Sequence, residues 1–109
     1  MTLTSSAYFA KNPVEDRVVK LPYFTRKVEL LRILVDRYNS AIRNFAIKNQ
    51  VPLIDIEKEF AKQNKPIKYF VSHCHLTDEG YKLVAEIVYK DLVARRFIWW
   101  NQKLSFYFF

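Results

Sequence analysis

Glycine is almost absent from this sequence, since Gly80 is the only one among 109 residues. Loops that cradle phosphates, turns that bind dinucleotides and the sharp turn that exposes a nucleophilic serine all use backbone conformations that glycine adopts most readily. The sequence therefore predicts that none of these three kinds of site is built here. Cysteine is equally scarce: Cys74 stands alone, which excludes an internal disulfide and gives no indication of an oxidising compartment.

Long apolar runs are missing as well. No stretch reaches the roughly 20 consecutive apolar residues that a transmembrane helix needs. Residues 1–10 also lack the basic start and the apolar core of a signal peptide. These observations predict a cytoplasmic protein.

What the chain does contain is a large share of apolar residues and an excess of basic charge. Hydrophobic residues make up 50% and aromatic residues 17% of the sequence, which predicts one folded domain and not a disordered chain. The net charge of +7 permits attraction to phosphates. The 18 basic residues are, however, mixed with 11 acidic ones along helical segments, so we expect a solvated basic surface and no nucleic-acid partner.

Periodicity indicates two long helices. Between residues 25 and 48, apolar side chains recur every three or four positions, at Val28, Leu31, Leu34, Val35, Tyr38, Ala41, Ile42 and Phe45. This pattern predicts an amphipathic helix whose apolar face, including Tyr38 and Phe45, lies in the core. A second helix is predicted from residue 78 to about residue 95, with Thr77 as its N-cap.

Extended segments are predicted between and before these helices. Residues 2–9 are rich in β-branched and aromatic residues, and residues 51–56 form a short apolar run, so both are expected to be strands. Residues 67–71 are expected to be extended too. Asp55 is expected to cap a short helix from about residue 56 to residue 63. This order of elements favours an α/β fold with a short parallel sheet and about three helices.

Residues 72–80 gather the reactive side chains of the chain. They include both histidines, the only cysteine and the only glycine, just before the last predicted helix. One interpretation is a metal site made by His73, Cys74, His75 and Asp78. It is disfavoured, because in an extended segment Cys74 points away from its histidine neighbours and zinc sites prefer wider spacings between paired ligands. We therefore expect no metal and no other cofactor.

Three blocks of the sequence carry a family resemblance: YNSAIRNFA at 38–46, VPLIDI at 51–56 and YFVSHCHLTDEGY at 69–81. In their order and spacing they resemble the C-terminal half of the SGNH, or GDSL-type, esterases and lipases. The resemblance implies part of a three-layer α/β/α, flavodoxin-like domain in residues 1–96, followed by an aromatic tail in residues 97–109. It also implies hydrolysis of a small-molecule ester through an acyl-serine intermediate.

The last block resembles the family's Asp-x-x-His motif, which commonly continues as His-Leu-Thr-x-x-Gly. The resemblance places the catalytic histidine at His75, where an imidazole can take the proton of a serine hydroxyl and return it to the leaving group. Ser72 stands where the family has the aspartate that orients the imidazole, and losing that acid in a related triad lowers the rate on the order of 10⁴-fold. Asp78 is an alternative acid, but we expect it to serve the helix dipole instead.

The family's Gly-Asp-Ser nucleophile block is absent from this sequence, and Ser5 and Ser6 are expected to be structural. The resemblance therefore implies a truncated or degenerate serine esterase that is inactive alone and that either self-associates or lacks an N-terminal half. The reading frame upstream would separate a fragment from a degenerate copy. A second hypothesis is a non-catalytic module that uses its basic surface and residues 97–109 to bind a protein partner or a membrane.

Overall fold

The computed structural model describes residues 1–21 and 25–96. Its regular elements are α1 (Ser6–Phe9), α2 (Pro13–Val19), α3 (Val28–Lys48), α4 (Ile56–Ala61), a 3₁₀-helix (Pro66–Tyr69) and α5 (Asp78–Ala94). The aromatic tail predicted at residues 97–109 lies outside the described residues. Within the two described ranges, no helix combines the length and the apolar character that crossing a membrane requires.

The predicted α/β fold is wrong for this part of the chain. Residues 1–21 and 25–96 contain no β-strand, so neither the short parallel sheet nor the three-layer α/β/α arrangement is present there. In these two ranges the one β-type pairing is an isolated antiparallel bridge between Phe70 and Leu76. The described fold is a set of helices joined by extended connections.

The side chain of Asn39 explains why residues 2–9, the first predicted strand, do not pair with a neighbouring strand. Its side chain accepts from Leu3 N at 2.7 Å and donates to Leu3 O at 2.8 Å, so it occupies the two backbone groups that a neighbouring strand would use. A single backbone hydrogen bond, from Thr2 N to Ile54 O at 3.2 Å, joins the two predicted strands in the described residues. Further along, α1 begins because the Ser5 side chain accepts from Ala7 N and caps the helix.

Helix α3 is confirmed, but its buried face differs from the predicted one. Its buried residues are Leu31, Val35, Asn39 and Ala46. Tyr38 and Phe45, which were expected in the core, are both more than half exposed. The apolar residues of α3 occupy more of the helix surface than the neighbouring segments bury. The side that faces inward is the one on which Asn39 contacts Leu3.

The remaining elements follow their local capping signals. Asp55 caps α4 as predicted, since its side chain accepts from Lys58 N. Thr77 caps α5 as predicted, since its side chain accepts from Gly80 N. The extended conformation predicted for residues 67–71 is wrong over its first part, because the 3₁₀-helix that Pro66 opens runs to Tyr69.

Two apolar clusters form the core of the part of the chain that the structure describes. One consists of Ala7, Ala10, Val19, Leu31 and Val35, and it joins α1, α2 and α3. The other consists of Phe9, Ile56, Phe60 and Phe70, against which the apolar side of α5 packs. Because α1 contributes to both clusters, the N-terminal segment stands at the centre of the packing.

Candidate active site

The predicted site lies in a tight turn between Phe70 and Leu76. Val71 N and Ser72 N both donate to His75 O, at 2.8 and 3.3 Å, which closes the turn. The bridge between Phe70 and Leu76 forms its base. The backbone therefore brings residue 72 opposite residue 75.

The N-terminal segment holds this turn in place. Ser6 is fully buried; its Oγ donates to Ser72 O at 2.8 Å and its N donates to His73 O at 3.3 Å. From another direction, His73 Nδ1 lies 2.8 Å from Lys20 O. A carbonyl oxygen can only accept, so His73 Nδ1 carries a proton in this contact. The backbone of residues 72 and 73 is thus attached to α1, and the side chain of His73 is attached to Lys20 at the end of α2.

Ser72 and His75, the two predicted site residues, are in contact. Ser72 Oγ lies 3.0 Å from His75 Nδ1, and the same Oγ accepts from His75 N at 3.2 Å. Cys74 Sγ lies 3.5 Å from His75 Nδ1. His75 is exposed. The catalytic roles of these residues stay predictions, but the structure brings their reactive atoms together.

The chemistry of this contact differs from that of an aspartate in one respect. An ionised carboxylate only accepts hydrogen bonds, so it would hold the proton of His75 on Nδ1 and leave Nε2 free to act as a base. A hydroxyl both donates and accepts, so Ser72 permits either tautomer of the imidazole. Ser72 therefore contacts the imidazole without fixing which ring nitrogen carries the proton.

Gly80 fixes the distance between the turn and α5. A Cβ added to Gly80 would lie 2.5 Å from Tyr69 O and 2.9 Å from Leu76 Cβ. The same carbonyl of Tyr69 accepts from Thr77 N at 2.9 Å. The first turn of α5 therefore approaches the base of the active-site turn more closely than any residue larger than glycine would permit.

Comparison with known proteins identifies the family. The family model of GDSL-like lipases and acylhydrolases matches residues 6–88, which include the active-site turn. This chain belongs to the GDSL-like lipase/acylhydrolase family. The match confirms the resemblance to SGNH, or GDSL-type, hydrolases. No curated protein and no solved structure matches the chain significantly.

Sequence reasoning missed a second polar cluster in this GDSL-family chain, between α3 and the start of α4. It consists of Asn39 and Arg43 on α3 together with Asp55 and Glu57 at the start of α4. Arg43 binds Asp55 with two nitrogens, Nε at 2.7 Å and Nη2 at 3.0 Å, and its Nη2 also lies 3.0 Å from Glu57 Oε1. Asn39 Nδ2 donates to the other oxygen of Glu57. The cluster ties α3 to α4.

Thr2 extends the cluster to the N-terminal segment. Its Oγ1 donates to Asp55 Oδ1 at 2.9 Å and accepts from Glu57 N at 3.1 Å. The hydrogen bond from Arg43, opposed in part by burial, lowers the pKa of Asp55 to about 2, and the same bond raises the pKa of Arg43. No sequence signal separated Asn39 from the other polar residues of α3, which lie between its apolar positions.

The acidic and sulfur-containing residues do not assemble a metal centre in the described part of the chain. No group of three or more His, Cys, Asp or Glu side chains there has the geometry to hold a metal ion. His73 is instead engaged with Lys20, and Asp78 lies exposed in the first turn of α5. The reactive contact that the structure displays is that of Ser72 with His75.

Proposed function

We propose that this chain supplies the histidine-bearing half of an ester-hydrolysing site, in which His75 acts as the general base. The contact between Ser72 Oγ and His75 Nδ1 carries the proposal, because it puts a side chain beside the imidazole at the position where the family has its orienting acid. The family match over residues 6–88 supports the reaction class. The substrate proposed is a small-molecule ester.

The proposal includes a low activity of the chain alone. The sequence contains no Gly-Asp-Ser block, so the family's nucleophile has to come from elsewhere, such as an N-terminal half. Ser72 also leaves the tautomer of His75 uncontrolled, which lowers the share of imidazole that has a free Nε2 lone pair. The chain is therefore proposed to be a truncated or degenerate member of its family.

A chimera tests this function directly. The front half of an active GDSL-type esterase, with its nucleophile block, would be joined to residues 6–88 in place of its own C-terminal part. Hydrolysis of p-nitrophenyl acetate is expected to be detectable, to be lost in the His75→Ala variant and to rise roughly 10²- to 10⁴-fold in the Ser72→Asp variant. A folded chimera whose hydrolysis is unaffected by His75→Ala would contradict the proposal.

The exposed side of α3 favours a second candidate function, which is self-association. Leu30, Leu34, Tyr38 and Phe45 follow one another on one face of the helix and are 51%, 57%, 56% and 63% exposed. We call these four residues the α3 apolar stripe. An apolar surface of this continuity on a helix is typical of a contact with another helix, and a second copy of the chain would offer a matching stripe.

Sedimentation velocity at increasing protein concentration tests self-association. The native chain is expected to form a dimer, and Tyr38→Lys is expected to keep it monomeric. Ser40→Lys is the matched control, because it adds the same charge to an exposed position on another face of α3. A native chain that stays monomeric up to high concentration would exclude this function, and removal of residues 97–109 would show whether the predicted tail contributes.

A further inference from the structure

We infer that Ser72 is itself an acyl acceptor, a nucleophile that His75 activates through Nδ1. This inference gives Ser72 a role different from that of the orienting acid whose position it occupies. It rests on the proposed role of His75 as a base. Unlike the family's route, it needs no serine from outside the described residues.

The hydrogen bonds of Ser72 Oγ indicate the direction of its proton. A serine hydroxyl has one proton to donate and two lone pairs that accept. His75 N–H already donates to this oxygen at 3.2 Å. Among the described residues, His75 Nδ1 is the one acceptor within hydrogen-bond distance of the hydroxyl, at 3.0 Å. In the tautomer that leaves Nδ1 unprotonated, the hydroxyl donates to Nδ1, which is the arrangement of a nucleophile and its base.

The backbone around Ser72 is fixed in a way that suits this chemistry. Ser6 binds the carbonyl oxygens of Ser72 and His73, and the imidazole of His73 is bound to Lys20 O. Within the described part of the chain, the backbone N–H groups of His73 and Cys74 have no protein acceptor. These N–H groups directly follow Ser72 in the sequence, so a developing oxyanion is the partner proposed for them.

The site is open to small esters. Ser72 is partly exposed, Cys74 and His75 are exposed, and Val71 beside them is 48% exposed. A substrate can therefore reach Ser72 from solvent. Because the turn lies at the surface, we expect reaction with small, activated esters first.

The step proceeds by acyl transfer. Ser72 Oγ attacks the carbonyl carbon of the ester while its proton moves to His75 Nδ1, which gives a tetrahedral intermediate. The bond from that carbon to the leaving oxygen then breaks, and the proton on Nδ1 passes to the leaving alkoxide. The products are an alcohol and an ester on Ser72. This acyl transfer needs no oxidant, reductant or metal.

Acetylation by p-nitrophenyl acetate tests the inference on the full chain. We expect a burst of p-nitrophenolate, a mass increase of one acetyl group, and a tandem mass spectrum that locates the acetyl on Ser72. His75→Ala is expected to slow the modification of Ser72 by roughly 10²- to 10⁴-fold, which is the usual contribution of a general base. Ser40→Ala, at an exposed serine far from the turn in sequence, is the control and should react like the native chain.

A second measurement tests the inference on the native chain, so its result does not depend on whether a variant folds. Nitrogen-15 NMR of the native chain should show neutral His75 with its proton on Nε2, because Nδ1 has to be unprotonated to take the proton of Ser72. A proton on Nδ1, acetyl groups only on lysines or Cys74, or equal acetylation of Ser72 in His75→Ala would each overturn the inference. Ser72→Asp separates the two proposals, since it removes the acyl acceptor and yet is expected to activate the chimera.

Discussion

Replacing Arg43 by methionine removes the only cation of the cluster that joins α3 to α4. Glu57 then remains buried, with 3% of its side chain exposed, and keeps Asn39 as its side-chain donor. Breaking a buried ion pair by removing one partner costs about 3–5 kcal/mol. Arg43 is itself 30% exposed and methionine retains its apolar stem, so we take the lower end and expect a loss of about 3 kcal/mol. That is a large part of the roughly 5–15 kcal/mol that stabilises a typical domain.

The same variant has a defined pH dependence. Because the pKa of Asp55 is lowered to about 2 in the folded chain, its ionised form adds stability above the unfolded value near 4. This contribution decreases as the pH falls from about 4 to 2, where Asp55 becomes protonated. The difference in the free energy of unfolding between native chain and Arg43→Met should therefore be largest near neutral pH and shrink in acid.

Urea unfolding followed by circular dichroism at pH 7 and at pH 3 measures both effects. Arg37→Met is the matched control, because Arg37 is exposed on the same helix, and we expect a change within about 0.5 kcal/mol. A loss below 1 kcal/mol for Arg43→Met at pH 7, or a difference that grows on acidification, would refute the assignment of the ion pairs as the stabilising element.

Three further changes test the packing around the active-site turn. Gly80→Ala should destabilise the chain by about 1–3 kcal/mol, because the new Cβ would meet Tyr69 O; an unchanged melting temperature would contradict this close approach. Phe60→Ala should cost about 3–5 kcal/mol in urea unfolding, since Phe60 is fully buried, whereas Phe45→Ala on the exposed face of α3 should cost far less. Equal losses at the two positions would show that the core is elsewhere. Thr77→Ala should cost about 1 kcal/mol through the lost cap and reduce the helical signal of α5.

The parts of the fold that sequence predicted well depend on neighbours along the chain. The periodicity of α3, and the caps of α4 and α5 at Asp55 and Thr77, are local signals, and all three helices are present. The predicted strands failed because pairing depends on distant groups. Asn39 lies 36 residues after Leu3 in the sequence. Its side chain binds the N–H and the carbonyl of Leu3 that would otherwise pair with a neighbouring strand.

The candidate site shows the same division. Sequence located His75 and Ser72, and their spacing of three residues is enough to bring them into contact through one turn. The residues that hold this turn, Ser6 and Lys20, are 66 and 53 positions away from their partners, so no local pattern could reveal them. The ion cluster was hidden for a related reason, because Glu57 was read only as part of a short helix.

The attachment of Ser6 to the turn at residues 72 and 73 has a consequence for the order of folding. During synthesis the first ten residues leave the ribosome long before residue 73, while the backbone hydrogen bonds within α3 join residues that are close in sequence. The contact across 66 residues must close a long loop, which slows its formation relative to local contacts. The turn that carries Ser72 and His75 is therefore expected to reach its final geometry late, after the helices have formed.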